Sequence, residues 1–341
     1  MNVQSPPETL KPNDYASDQE IRWCPGCGDY AIVKAVQRTL ADLGADPTNT
    51  VFVSGIGCAA RFPYYMATYG FHTIHGRAPA VATGVKLANP DLDVWVIGGD
   101  GDMLSIGGNH TLHALRRNVD LQVLLFNNEI YGLTKGQFSP TSVVGTRSPS
   151  TPMGSVDSPV SACVFALGCN ARFVARAVDT NQKLLPVVLK AAKANKGASF
   201  VEILQNCIVY NDGVYSSFTD KSNSADGQIM CEHGKKLIFG ADDNKGLRLK
   251  PGKIELETVT IGENGITEND ILVHDETSRP LALMIASMTA PNFPVAMGVI
   301  FRDPGASYEE SVHAQIAELA KKSPPVSINE LMHKGQTWTV V

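Results

Sequence analysis

Two groups of residues have types and spacings that suit chemistry. The first is Gly99-Asp100-Gly101, then 25 residues, then Asn127-Asn128. Glycines let a backbone approach a phosphate closely. An aspartate and an asparagine supply hard oxygen donors, which suit Mg2+ held jointly by protein and phosphates. The second group is a set of cysteines. Cys24 and Cys27 form a CxxC within Trp23-Cys24-Pro25-Gly26-Cys27-Gly28, Cys58 ends Ser54-Gly55-Ile56-Gly57-Cys58, and Cys207 follows Gln205-Asn206. Clustered thiolates suit Zn2+ or an iron–sulfur cube, and spacing alone does not separate the two. A thioredoxin-like redox pair is a third reading of the CxxC, although no strand precedes it. Cys163, Cys169 and Cys231 carry no motif and read as buried structural thiols.

The elements that must position these groups follow from periodicity. Thr50–Ser54 (TVFVS), Asp93–Ile97 (DVWVI), Asp120–Phe126 (DLQVLLF), Arg172–Val178 and Ser199–Leu204 are short apolar runs that predict strands. Asp29–Leu43, Ala78–Asn89, Met103–Arg117 (apart from Gly107-Gly108) and Gln182–Ala194 show helical spacing. The alternation predicts an α/β fold: a doubly wound, mainly parallel sheet with helices on both faces, plus a C-terminal extension. In such sheets ligands bind at the carboxyl ends of strands, which brings GDG, NN, Cys58 and Cys207 to one side. The helix after Gly101 is expected to turn its N-terminus toward an anion.

Two stretches break the rhythm. Gly136–Ser158 holds 15 Gly, Ser, Thr and Pro among 23 residues, and a loop of that length predicts a cover over the site. From about Lys221 the alternation fades, and a final helix over Ser307–Lys321 has a charged face. The expected organisation is a 1–20 N-terminal arm, a 21–230 domain carrying both chemical groups, and a 231–341 extension that makes subunit contacts.

Composition narrows the class. The 341 residues are 43% hydrophobic and 18% charged, with a formal charge of −5, which argues against a broad basic surface for nucleic acid. No run approaches the length of a membrane span. Met1–Asp14 is polar, holds three prolines and lacks an apolar stretch, so a cytoplasmic chain with no secretory leader is expected. Seven cysteines, an odd number, argue for metal or redox chemistry rather than a disulfide framework.

GDG followed at this distance by NN resembles the thiamine diphosphate signature of thiamine-dependent enzymes. WCPGCG, SGIGCAAR (Ser54–Arg61), HGRA (His75–Ala78), GDGD and NN, in this order between Ile21 and Asp212, resemble the β subunit of the 2-oxoacid:ferredoxin oxidoreductases. The resemblance implies that Asp100 and Asn128 bind Mg2+ through their side chains and Ile130 through its carbonyl. It implies that Gly99, Gly101 and Asp102 lie against the diphosphate, and that Ile56, Gly57, Cys58 and His75 contact the cofactor. It further implies a [4Fe–4S] cluster on Cys24, Cys27, Cys58 and Cys207. His75, before a predicted helix, either faces cofactor or substrate or satisfies local backbone groups. His110 and His113, three apart on a helix with no third ligand, read as ordinary helix residues.

The activity so implied is reversible oxidative decarboxylation of a 2-oxoacid. Thiamine diphosphate supplies the attacking carbanion, the acyl group passes to coenzyme A, and electrons leave through the cluster to ferredoxin. The family's activating glutamate comes from a pyrimidine-binding domain, and only one domain, of the diphosphate type, is read from this sequence. An α subunit and an αβ or (αβ)2 complex are therefore implied, with the lone chain inactive. Tyr131–Gln137 followed by Ser139-Pro140-Thr141 resembles the loop of 2-oxoglutarate enzymes, and Lys135 and Arg147 would neutralise the distal carboxylate, bind a coenzyme A phosphate, or simply face solvent. The alternatives are pyruvate or branched-chain specificity within the family, and a non-oxidative thiamine lyase or ligase with a structural metal.

Overall fold

A computed structural model describes residues 10–323 and 325–340. The first nine residues of the expected arm, and of the Met1–Asp14 stretch, lie outside the described residues. The rest of the arm is pinned by Tyr15, which is fully buried and donates its hydroxyl to the Ala45 carbonyl at 2.5 Å.

The strands are β1 (Thr50–Ser54), β2 (Tyr69–His72), β3 (Asp93–Gly99), β4 (Gln122–Asn127), the short hairpin β5 (Ile130–Tyr131) and β6 (Gln137–Phe138), β7 (Phe173–Val178), β8 (Ser199–Leu204), β9 (Gln228–Cys231), β10 (Ile238–Phe239), β11 (Lys245–Leu249), β12 (Leu256–Thr260) and β13 (Val295–Arg302). Eight of them form one sheet in the order β2-β1-β3-β4-β8-β7-β13-β9. The first six run parallel, and β13 is antiparallel to β7 and parallel to β9. β10, β11 and β12 form a separate antiparallel sheet.

Helices α1 (Asp29–Leu43), α2 (Ala78–Ala88), α3 (Gly108–Arg117), α4 (Ala162–Gly168) and α5 (Leu184–Ala194) cover the large sheet. Strand side chains alternate between faces. Val51, Val53, Val94, Val96, Val123 and Leu125 pack on one side with α2, α3 and α4. Phe52, Trp95, Ile97, Leu124 and Phe126 pack on the other with Ile32, Val36 and Leu40 of α1 and Leu185 and Leu189 of α5. Each fully buried side chain of this size contributes about 1.5–3 kcal/mol through lost water contact. The sheet is thus a rigid floor, and the loops at its carboxyl edge inherit that rigidity.

The structure departs from the sequence expectations in three places. The helix expected over Met103–Arg117 is split: Gly101–Ile106 forms a π-helical turn, Ser105 leaves helical geometry at φ −90° and ψ −107°, and α3 starts only at Gly108. No continuous helix therefore runs from Gly101. The edge strand β2 was not visible in the sequence, because all four of its residues are exposed. The 231–341 stretch expected as an extension supplies one strand of the large sheet, β13, which pairs with β9 at the start of that stretch. The helix Tyr308–Lys322, by contrast, is mostly exposed beyond Glu309.

Candidate active site

The carboxyl ends of β1, β3, β4 and β8 meet at two adjoining cavities. One, of about 200 Å3, is lined by Ile56, Gly57, Cys58, His75, Gly99, Asp100, Gly101, Asp102, Asn128 and Ile130, the ten residues expected to contact cofactor and magnesium. Trp23 and the thiols Cys24, Cys27, Cys58 and Cys207 line the other, of about 210 Å3. Cys58, Asn128, Gly132, Leu133 and Gln205 belong to both walls.

Asp100 follows the last residue of β3 and is 2% exposed. Its Oδ2 lies 2.5 Å from the Ser139 hydroxyl and 2.5 Å from the Thr141 hydroxyl. Burial pushes its carboxyl up to about 6, against the pull of these hydroxyls. A cation beside it would remove that penalty, so the donor set suits a hard divalent ion. Asn128 Oδ1 accepts from the Ile130 N–H at 3.2 Å and keeps a second lone pair. Gly101 is required for a further reason: a Cβ there would stand 2.2 Å from the Tyr131 ring, whose hydroxyl donates to the Gly101 carbonyl at 2.9 Å.

Ser139 and Thr141 were not singled out as site residues in the sequence. They open the Gly136–Ser158 loop and anchor it, since Thr141 also lies 2.9 Å from Asn127 Oδ1. Behind them runs a buried polar chain. Asn127 Nδ2 donates to Glu202 Oε1 at 2.8 Å, and Arg176 Nε donates to Glu202 Oε2 at 2.7 Å. Burial alone would raise the Glu202 carboxyl, but Arg176 and its hydrogen-bond donors hold it below the ordinary range. The buried Cys163 thiol donates to the same carboxylate at 3.2 Å, Cys231 is buried near Arg176, and Cys169 is buried as well.

Asp102 lines the cofactor cavity but directs its carboxylate at the surrounding loops. Oδ1 accepts from Ile56 N at 3.1 Å and Gly76 N at 2.7 Å, and lies 2.6 Å from His75 Nδ1. Gly55 makes room for this: a Cβ there would lie 2.0 Å from Asp102 Oδ2. The imidazole is held by its Nδ1, and the ring borders the cavity with its side chain 38% exposed. His113 instead accepts from Arg116 Nε at 2.7 Å on α3.

The thiol cavity is built by short-range rules. Cys24-Pro25-Gly26-Cys27 is a tight turn, with Cys27 N–H donating to the Cys24 carbonyl at 3.0 Å and Gly26 at φ +86°, as Pro-Gly at its centre favours. Trp23 Nε1 donates to the Cys58 carbonyl at 2.7 Å, and Gly28 N donates to the Asn206 carbonyl at 3.2 Å. These bonds tie the CxxC to the Cys58 and Cys207 loops. A Cβ on Gly132 would lie 3.7 Å from Cys58 Sγ and 3.6 Å from Cys207 Sγ. Burial raises the Cys27 thiol strongly and the Cys58 thiol to about 11. Among the described residues no three His, Cys, Asp or Glu side chains close around a single ion. Four thiols around one cavity are a donor set that either Zn2+ or an iron–sulfur cube takes. Asp29, 2% exposed at the start of α1, adds a buried acid raised to about 7, mainly by burial.

The cations expected to bind substrate lie elsewhere. Lys135, in a turn at φ +74°, and Arg147 are both exposed, and neither lines these cavities. Arg22 and Arg61, which the sequence reading passed over, line a further cavity of about 480 Å3 with Ile56, Gly57 and Leu133 of the cofactor wall. Arg22 pairs with Glu20 at 2.8 Å, while Arg61 has no carboxylate partner among the described residues.

This parallel sheet with its strand-end cavity has the architecture of thiamine-dependent enzymes, and the thiamine pyrophosphate enzyme C-terminal TPP binding domain matches residues 55–203. The 2-oxoglutarate oxidoreductase subunit KorB of Mycobacterium tuberculosis is 46% identical over 99% of this chain and 91% of its own length. The 2-oxoacid:ferredoxin oxidoreductase 1 subunit beta of Aeropyrum pernix is 48% identical over 58% of this chain and 62% of its own. A solved 2-oxoglutarate:ferredoxin oxidoreductase from Magnetococcus marinus, with 2-oxoglutarate, coenzyme A and succinyl-CoA bound, superposes with a TM-score of 0.76 at 32% identity over 97% of each chain. The chain belongs to the β subunits of the 2-oxoacid:ferredoxin oxidoreductases. It is therefore one subunit of an enzyme complex. Among the described residues no helix is long and apolar enough to cross a membrane.

Proposed function

We propose that this chain, joined to an α subunit, carries out the thiamine-diphosphate-dependent, reversible oxidative decarboxylation of 2-oxoglutarate to CO2 and an acyl-CoA, with ferredoxin as electron acceptor. The observation that carries the reading is the shared wall of the two cavities, because a carbon centre and an electron acceptor must be neighbours for oxidation to outcompete protonation. When bound, thiamine diphosphate supplies the nucleophilic carbon, and a [4Fe–4S] cluster accepts electrons singly.

This chain's own residues do the positioning. Asp100, Asn128 and the Ile130 carbonyl hold Mg2+, and Gly99 and Gly101 admit the diphosphate. Cys24, Cys27, Cys58 and Cys207 hold the cluster. His75, fixed by Asp102, offers its second ring nitrogen to the cofactor cavity. The α partner supplies the pyrimidine-side glutamate, and residues 231–341 make subunit contacts in an (αβ)2 assembly. A dicarboxylate needs a cation that pyruvate does not, and the half-buried Arg61, with no carboxylate partner among the described residues, lines the cavity next to the cofactor wall, whereas the exposed Lys135 and Arg147 line neither.

Anaerobic purification with the α partner, then assay against several 2-oxoacids with coenzyme A and a viologen, tests the reading. A preference for 2-oxoglutarate is expected, with Arg61→Met weakening it more than pyruvate. A preference for pyruvate overturns the substrate assignment, and a colourless complex with stoichiometric zinc overturns the oxidative one.

A further inference from the structure

Gln205 is the residue immediately after β8, and it is 1% exposed. A buried primary amide must place two donors and one acceptor, so its partners are informative. The Gln205 carbonyl Oε1 accepts from Asn128 Nδ2 at 2.7 Å. Its Nε2 donates to Cys27 Sγ at 3.2 Å and to the Asn206 carbonyl at 2.6 Å. One side chain thus touches a residue assigned to magnesium and a residue assigned to the cluster.

We propose that Gln205 is a positioning residue for both sites at once: it fixes the amide of Asn128 and donates a hydrogen bond to the cluster-side sulfur of Cys27. The inference rests on the cofactor and cluster assignments made above. The first half follows from amide geometry. Asn128 can present either oxygen or nitrogen toward a metal, and only oxygen can ligate. With Nδ2 committed to Gln205, Oδ1, which accepts from Ile130 N and keeps a second lone pair, is the atom left to ligate. Partners of this kind orient ligands, and their loss typically costs about 10–100-fold in metal affinity.

The second half follows from charge. Reduction adds an electron to a cluster and increases the negative charge on its sulfurs. An N–H aimed at one sulfur favours the reduced form, and so raises the potential. Removing that donor lowers it. A side chain that merely fills space would leave the potential where it was.

The test uses the anaerobically purified αβ complex. Gln205→Met keeps length and neutrality but has neither group. It should retain full iron, shift the cluster midpoint to a more negative potential in EPR-monitored redox titration, and weaken magnesium-dependent thiamine diphosphate binding by about 10–100-fold. Gln205→Glu keeps an acceptor for Asn128 Nδ2 and removes the donor to Cys27. It should restore cofactor binding toward wild type while leaving the potential low. An iron-loaded Gln205→Met complex with wild-type potential and wild-type cofactor affinity overturns the bridge alone. Absence of iron from the wild-type complex overturns the cluster reading, and the bridge with it.

Discussion

His75 Nδ1 lies 2.6 Å from Asp102 Oδ1, and this contact decides what the imidazole offers the cofactor cavity. A ring that donates its Nδ1–H to a buried carboxylate turns Nε2 toward the cavity as the acceptor. Asp102→Asn and His75→Gln should each lower kcat of the αβ complex by about 100-fold, the lower end of general acid–base contributions. Thiamine diphosphate affinity of His75→Gln should fall far less than kcat. A parallel titration of cofactor and rate checks this, and equal loss in both would make the pair structural.

Asp100→Ala should abolish magnesium-dependent retention of thiamine diphosphate while iron content stays near wild type. The buried carboxylate belongs to the cofactor cavity and not to the thiol cavity. Gel filtration of the complex with cofactor, followed by metal analysis, separates the two effects. Wild-type turnover in this variant would remove Asp100 from the site.

Cys24→Ser, Cys27→Ser, Cys58→Ser and Cys207→Ser should each remove most of the iron and the EPR signal, whereas Cys163→Ser should keep both. The four line one cavity, and Cys163 lies buried against Glu202 instead. Full iron in the Cys207 variant would exclude that residue as a ligand.

Glu202→Gln leaves the Arg176 guanidinium buried without its carboxylate. Loss of one partner from a buried pair costs about 3–5 kcal/mol, measurable by urea denaturation. The same variant should loosen the Asn127–Thr141 support of Asp100, and so weaken cofactor binding in proportion.

His274 is 1% exposed, its Nε2 lies 2.8 Å from the Val299 carbonyl, and burial lowers its pKa below the ordinary 6.5. The unfolded chain therefore binds this proton at a higher pH than the folded one. Its contribution to stability is present above pH 6.5 and is lost as the pH falls through the folded value. His274→Gln should flatten the Tm against pH below neutrality. An unchanged slope would assign it to other groups.

The parts of the fold legible in the sequence are those where local pattern and tertiary need agree. Asp29–Leu43, Thr50–Ser54 and Ser199–Leu204 fall where periodicity and β-branching put them, because each buries a stripe or a whole strand. β2 carries no such pattern, being exposed along its length. β13 is apolar enough to read as a strand, but its partner β7 lies far back in the chain, and pairing across that distance leaves no local trace. The same reasoning applies at the site. Glycines, cysteines and the GDG and NN pairs announce themselves by type. Ser139 and Thr141 belong to a recognisable loop but show no role there, and Gln205 is an ordinary residue, until the fold sets them against Asp100 and Cys27.

The reversed strand β13 has a consequence for the order in which the molecule is made. Ribosomes deliver the N-terminus first, so GDG, NN and all four cavity cysteines emerge before Val295. Until then β7 is paired on one side only, with β8, and Arg176 lacks the Ala296 carbonyl it donates to at 3.4 Å. A nascent chain at that stage holds every residue assigned to cofactor and cluster, yet shows a bare strand edge of the kind that recruits other chains. Chaperone occupancy during synthesis, mapped by ribosome position, should therefore persist past the last cysteine of the cavity and end only when the 295–302 segment has left the exit tunnel.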